Sequence, residues 1–330
     1  MSKLYDNHGR LINYVRLAVT DRCNLRCFYC MPEEGIQYLP KKELLTYEEM
    51  ERIIRVLVQM GIEKIRITGG EPFVRKDMIA FITTLSRIEG LQQINLTTNG
   101  TLTAPLIPLF KGLGIRTVNL SLDCLDKDRF FKITRRDEFD KVMHTFEQLL
   151  YHGIQTKINT VVMEGKNIDD IIPMAALTKD HPVSIRFIEE MPFNGAGNNY
   201  PTLTWNYKKI LAHLQEKFPT IHKIPDPANA TAAHYKIPGH QGTIGIIAAY
   251  SRTFCGSCNR IRITPKGMLK TCLYDNGVFN IKDLLRSGAT DPQLSDTFLE
   301  ALGNRAKDGY EAEQNRNGQK VSESMATIGG

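Results

Sequence analysis

This chain has no apolar run approaching the length of a membrane span. It therefore reads as a globular protein without a membrane partner. The first twenty residues, MSKLYDNHGRLINYVRLAVT, mix charge and polarity and hold no apolar stretch of the kind a secretory signal needs, which predicts a chain retained in the reducing cytoplasm. A large excess of one charge is missing too: 42 Lys+Arg against 36 Asp+Glu leave a net charge of +6. That is too mild for a nucleic-acid binder, yet it suits a basic pocket for an anionic small molecule. Internal repeats and long low-complexity tracts are absent. The informative residue type is cysteine. Seven are present, and in a reducing compartment their clustering points to metal binding rather than disulfides. Six fall into two groups of three. The seventh, Cys124, is expected to be an ordinary buried thiol, and His8, His144 and His152, which carry no motif, to be surface or packing residues.

At 330 residues the chain suits one large unit with a smaller partner. The stretch PDPANATAAHYKIPGH (225–240) has the composition of a linker or surface loop, so the expected division is 1–230 and 231–330. Six strand-like segments recur in the first part: YVRLAVT (14–20), EKIRIT (63–68), QINLTT (93–98), RTVNLSLD (116–123), TKINTVV (156–162) and VSIRFIE (183–189). Helical patterns separate them. The first shows Thr46 and Glu49 as a capping pair, an apolar stripe at Met50, Ile53, Ile54, Leu57 and Val58, and Gly61 as its stop. Strand and helix in alternation predict parallel strands with helices outside, as an open doubly wound sheet or as a barrel. Beyond the boundary, TIGIIAAY and NRIRIT read as short strands, and the last fifty residues show one or two weak helical patterns.

Side-chain parity narrows the choice. Alternate residues of a strand face opposite ways, and one parity here is aliphatic: Val15, Leu17 and Val19; Ile65 and Ile67; Ile94 and Leu96; Val118, Leu120 and Leu122. The other carries Arg16 and Thr20, Arg66 and Thr68, Asn95 and Thr97, Asn119, Ser121 and Asp123, Lys157 and Asn159, and Ser184 and Arg186. A sheet covered on both faces should be apolar on both, and a filled eight-stranded barrel should have a branched aliphatic interior. A curved, incompletely closed barrel of six units whose concave face grips a polar, anionic ligand accounts for the pattern. Polar residues fringing solvent at strand ends are the plainer alternative.

What the cysteine groups lack is a fourth member. Cys23, Cys27 and Cys30 follow the first strand within DRCNLRCFYC, and three thiolates suit neither a four-ligand zinc site nor a thioredoxin-like pair. An iron–sulfur cubane with three protein ligands leaves one iron open. Zinc completed by a distant ligand such as His8 is the competing reading. Cys255, Cys258 and Cys272, in FCGSCNRIRITPKGMLKTC, again stop at three, since no Cys or His follows in residues 273–280.

CNLRCFYC, with GGEP at residues 69–72 after the second strand, resembles the radical S-adenosylmethionine superfamily. Together with the second triplet and with LTTNG, VNLSLD, RFIEEMP and the terminal MATIGG, the chain resembles the GTP 3',8-cyclase family from about Gly9 to its end. The wording after MP in MPFNGAGNNYPTLTW departs from the family's commoner form. The resemblance implies a partial (β/α)6 barrel, a smaller C-terminal domain with a second cluster, and two [4Fe-4S] clusters with S-adenosylmethionine as cofactors. It implies cofactor contacts at Tyr29, Gly70, Ser121 and Met191, and GTP contacts at Arg16, Arg66, Thr97, Lys157, Arg260 and Arg262. Arg186 is implied as an active-site group, and Gly329 and Gly330 as a tail entering the active site, although a terminal Gly-Gly alone would read as a disordered end. The implied activity is an early step of molybdopterin formation in which a 5'-deoxyadenosyl radical removes the ribose C3' hydrogen of GTP and C3' bonds to C8. An electron donor and the next enzyme of the pathway are the implied partners, with the chain a monomer or homodimer. A radical peptide or protein maturase with an auxiliary cluster is the alternative enzyme, and a zinc-stabilised binding module the alternative of another class.

Overall fold

The computed structural model describes residues 3–195, 202–316, 318–319 and 321–329. Six strands carry the first part: β1 (Tyr14–Ala18), β2 (Lys64–Thr68), β3 (Gln93–Thr98), β4 (Ile115–Ser121), β5 (Gln155–Val162) and β6 (Ser184–Glu189). Each pairs in parallel with the next. Such a connection needs a long crossover, and helices supply it, among them Tyr47–Gln59, Met78–Ser86, Phe139–Tyr151 and Ile171–Asp180. The first of these bears out its sequence signals. Thr46 and Glu49 exchange capping bonds, and Met50, Ile53, Ile54, Leu57 and Val58 are buried. Their burial against the aliphatic parity of the strands, where Val15, Leu17, Ile65, Ile67 and Leu96 are fully enclosed, stabilises by about 1.5–3 kcal/mol per large side chain.

The remaining strands are β7 (His222–Lys223), β8 (Ala233–Lys236), β9 (Thr243–Ile247), β10 (Arg260–Ile263), β11 (Met268–Lys270) and β12 (Phe279–Asn280). They extend both edges of the same sheet, whose order is β12-β11-β10-β1-β2-β3-β4-β5-β6-β9-β8-β7. Strand β9 adds in parallel to β6, and β10 in parallel to β1. Among the described residues β7 and β12 do not pair, so the parallel sheet is an open, partial barrel. Residues 225–240, linker-like in composition, contain β8, whose antiparallel pairing with β9 outweighs the loop-like sequence. The C-terminal segment is more helical than its sequence pattern implies, with helices Ile281–Arg286, Asp291–Gly303, Gly309–Gln314 and Met325–Ile328. The missed signal is local: Thr290 and Gln293 form a capping box ahead of buried Leu294, Phe298 and Leu302. A small second core of Phe193, Tyr274, Ala312, Val321 and Ile328 seats the end of the chain. No helix among the described residues is long and apolar enough to cross a membrane.

Candidate active site

The carboxyl ends of β1 to β6 open into one cavity, lined by Cys23, Cys27 and Cys30 together with Tyr29, Gly70, Ser121 and Met191. All three thiols are pushed towards the neutral form. Burial, helped by Glu71, raises Cys23 to about 11. Burial, with Cys23 and Asp123 adding to it, raises Cys30 to about 12, and Cys27 is likewise raised by burial, Cys30 and Asp123. Three thiolates could persist here only beside a compensating cation, which an iron–sulfur cluster provides. Among the described residues no group of three His, Cys, Asp or Glu is arranged around a single-ion position. Thiolates of a cubane each take a different iron and need not converge on one point. Donor set, burial and cavity therefore fit a cluster.

Beside the cysteines the backbone is tightly packed. Gly69 has φ +146, and a Cβ on Gly70 would overlap the Arg22 carbonyl. The amides of Gly70 and Glu71 donate to the carbonyls of Thr20 and Arg22, each at 2.9 Å. The glycines are thus required by residues 20–22 as well as by any ligand. Burial raises the Glu71 carboxyl to about 7. It accepts from the Thr98 hydroxyl (2.9 Å) and the Asn99 amide (2.7 Å), joining the ends of β2 and β3. Tyr29 donates to Asp123 at 2.8 Å, and Asp123 also accepts from the Val161 amide. Burial raises Asp123 to about 6. Asp123 was placed on the polar parity by the sequence, but its partners Tyr29 and Val161, like the approach of Asn99 Nδ2 to within 3.7 Å of the Cys23 sulfur, were not legible because these groups meet only after folding. Cys124 is buried, as expected, and lies near the Asp126 carbonyl.

The polar parity is gathered into rows by strand register. Arg262, Arg16, Arg66 and Asn95 stand on adjacent strands β10, β1, β2 and β3. Asn119, Lys157 and Ser184 form another row, and Asn159, Arg186 and Gly245 a third. The crowding of positive charge shows in the titrations. Burial and then Arg186, Arg66 and Lys64 draw Lys157 down to about 7, while burial and Arg66 bring Arg186 to about 10. Burial works against ionisation of Tyr14, but Arg66, Arg16 and Lys64 outweigh it and draw the phenol to about 8. Arg66 donates to Tyr14 (2.6 Å), to the Leu96 carbonyl (2.7 Å) and to Thr97 (3.4 Å). Asn95 Nδ2, Asn119 Oδ1, Asn159 Oδ1, Ser184 Oγ and Arg186 Nε are buried without a hydrogen-bond partner among the described residues. Buried polar atoms are normally satisfied, so this face is shaped for a polar ligand. Lys64 and Tyr14 belong to it although sequence reasoning passed over them.

The second triplet lies beside these rows. Cys255 and Cys258 bound the turn Cys255–Ser257 ahead of β10, and Cys272 follows β11. Burial opposes ionisation of Cys258, but Arg260 and Arg305 outweigh it and draw the thiol to about 6. Cys272 is raised to about 11 by burial. Arg262 donates to the Gly329 carbonyl at 2.7 Å, and Ser324 donates to the Cys30 carbonyl at 2.6 Å. The chain's end thus touches both the first triplet and the cation rows. Gly330 lies outside the described residues.

This partial barrel, with its cysteine-lined cavity at the strand ends, is of the radical S-adenosylmethionine class. Residues 17–178 match the Radical SAM superfamily and residues 183–311 match Molybdenum Cofactor Synthesis C. "GTP 3',8-cyclase" from Syntrophomonas wolfei is 38% identical over 334 residues, covering 99% of this chain and 100% of that protein. "GTP 3',8-cyclase, mitochondrial" from Arabidopsis thaliana is 39% identical, covering 91% and 77%. "Molybdenum cofactor biosynthesis protein 1" from Homo sapiens is 43% identical over 92% of this chain. The chain spans about half the length of that human relative, 48%. Among solved structures, Streptococcus suis SuiB bound to S-adenosylmethionine shares the fold, with a TM-score of 0.61 at 14% identity over 88% of this chain and 69% of that one. The chain belongs to the GTP 3',8-cyclase family of molybdenum cofactor biosynthesis.

Proposed function

We propose that this chain converts GTP to 3',8-cyclo-7,8-dihydro-GTP in the cytoplasm, an early step of molybdenum cofactor formation. The observation that carries the proposal is the cationic face: rows of Arg and Lys with unsatisfied polar atoms beside a cysteine-lined cavity. A triphosphate carries the charge and acceptors that such a face lacks. Arg16, Arg66, Lys157 and Arg186 hold the nucleotide from the sheet, with Thr97 beside them. Arg260 and Arg262 hold it from β10. Cys23, Cys27 and Cys30 hold one [4Fe-4S] cluster, and Tyr29, Gly70, Ser121 and Met191 shape the pocket for S-adenosylmethionine. Residues 231–330 form the smaller unit, in which Cys255, Cys258 and Cys272 hold a second cluster that orients the purine. When bound and reduced by an electron donor, the cofactor pair supplies removal of the hydrogen at ribose C3', and that carbon then bonds to C8. Gly329 and Gly330 place the reacting groups, and the product passes to the next enzyme of the pathway.

The test is anaerobic incubation of the reconstituted chain with dithionite, S-adenosylmethionine and, separately, GTP, ATP and a peptide pool. One hydrogen atom leaves C3', and one electron and one proton return to the base radical, so a product of unchanged mass and altered retention is expected from GTP alone. Modified peptide with unchanged GTP would instead identify a maturase. Replacing Cys27 by Ser should abolish cofactor cleavage. Replacing Cys255, Cys258 or Cys272 should leave part of that cleavage while removing the cyclised nucleotide, and cyclisation retained in those variants would contradict the assignment.

A further inference from the structure

Arg305 lies far from every motif in the sequence, yet its buried guanidinium spends all five N–H donors around the second triplet. Nε donates to the Thr271 carbonyl, the residue before Cys272, at 3.0 Å. Nη1 donates to the Cys258 carbonyl and to Asp6 Oδ2, each at 2.9 Å. Nη2 donates to the Cys258 sulfur at 3.2 Å and to the Arg260 carbonyl at 3.0 Å. Asp6 in turn binds Arg10 at 2.6 Å, and Arg10 donates to the Cys255 carbonyl at 3.2 Å. One connected network therefore touches the backbone at or beside all three cysteines. At the first triplet a guanidinium reaches only the backbone, where Arg26 donates to the Cys23 carbonyl at 2.6 Å, and the Cys23 sulfur faces the neutral amide of Asn99 at 3.7 Å.

We propose that Arg305 is a positioning residue for the second cysteine triplet, and that its charge-assisted bond to Cys258 raises the reduction potential of the cluster held there. The inference rests on the reading that this triplet carries a cluster. Reduction adds one negative charge to a cluster, so a guanidinium at hydrogen-bond distance favours the reduced form. Burial leaves that interaction poorly screened by salt. Asp6 acts in the opposite sense, neutralising part of the charge. Lysine could not replace the fork, because three donors on one nitrogen cannot reach five acceptors spread around a plane.

The experiment is a redox titration followed by electron paramagnetic resonance on the full-length chain. Its first triplet is replaced by serine, so that the second cluster alone gives a signal. Arg305→Gln is expected to lower the reduced-to-oxidised ratio at the unsubstituted midpoint at least tenfold, about 59 mV for a one-electron couple. Arg305→Lys should keep its iron and shift less. Asp6→Asn, which retains the guanidinium, should shift the midpoint upward. A role confined to folding predicts no opposite shift, so an unchanged or lowered midpoint in Asp6→Asn would overturn the proposal. So would an unchanged midpoint in Arg305→Gln. If both Arg305 variants lose the cluster, Asp6→Asn decides alone by the same criterion. Absence of iron and sulfide from the second triplet of the otherwise unsubstituted chain would overturn the cluster reading, and this inference with it.

Discussion

Lys157 stands among cations that disfavour its own charge. Burial first, then Arg186, Arg66 and Lys64, leave it with a pKa of about 7 in the free protein, against about 10.4 for an unperturbed lysine. A bound triphosphate favours the charged form and pulls the value back up. Nucleotide binding should therefore take up a proton above pH about 7, and affinity should fall as pH rises through that window. Tyr14, near 8, adds a negative charge over the same range and acts in the same direction. Calorimetry at pH 8 in two buffers of different ionisation enthalpy measures the uptake, and Lys157→Met should diminish it. Uptake equal to that of the unsubstituted chain would remove Lys157 from the site. Arg186→Ala should weaken GTP binding by about 1.5–3 kcal/mol, as expected for a lost bond to a charged group. These positions were legible in the sequence because strand parity assigns Arg16, Arg66, Lys157 and Arg186 to one face. Arg305 was not legible, since its partner Cys258 lies 47 positions away and no periodicity links them.

At the scale of the element, the crossover helix Tyr47–Gln59 depends on its first turn. The Thr46 hydroxyl accepts from the Glu49 amide at 3.2 Å, and the Glu49 carboxylate accepts from the Thr46 amide at 2.7 Å. Thr46→Ala should cost about 1 kcal/mol, read as a lower urea midpoint with an unchanged slope. A midpoint equal to that of the unsubstituted chain would show that packing alone sets the helix start. Glu49 also binds Arg286 at 2.7 Å, so the cap fastens the C-terminal helix Ile281–Arg286 to the barrel. Strands β1 to β6 were foreseen to within two residues at every end because each alternates cleanly. Strand β8 was obscured because AHYK follows a run of proline, alanine and small polar residues, and its state is decided by the edge that β9 offers.

For the whole molecule, the decisive arrangement is the return of the C-terminus to the strand ends. Glu323 is held by Lys270 and Arg316, each at 3.0 Å. Ser324 then reaches Cys30, and Gly329 reaches Arg262. Gly329 has φ +80, and a Cβ there would crowd Thr68 and Ala18, so the tail ends in a conformation and a space suited to glycine. Deleting Gly329 and Gly330 should leave iron content and GTP affinity nearly unchanged while suppressing deuterium transfer from 3'-labelled GTP to 5'-deoxyadenosine, because misplaced reacting groups forfeit many kcal/mol of barrier lowering. Transfer at the full-length rate would show the tail to be dispensable.

The sequence by itself determined the strand–helix alternation, the two cysteine triplets and the polar parity, because each is written in spacings of a few residues that local geometry converts directly into a turn or a face. Only the tertiary structure decided that β9 and β10 continue the same sheet on opposite sides, that Asp6, Arg10 and Arg305 enclose the second triplet, and that the tail lies between the first triplet and Arg262. Those contacts join residues that are distant along the chain. Their energy comes from burial and from hydrogen bonds whose partners have no fixed spacing in the sequence.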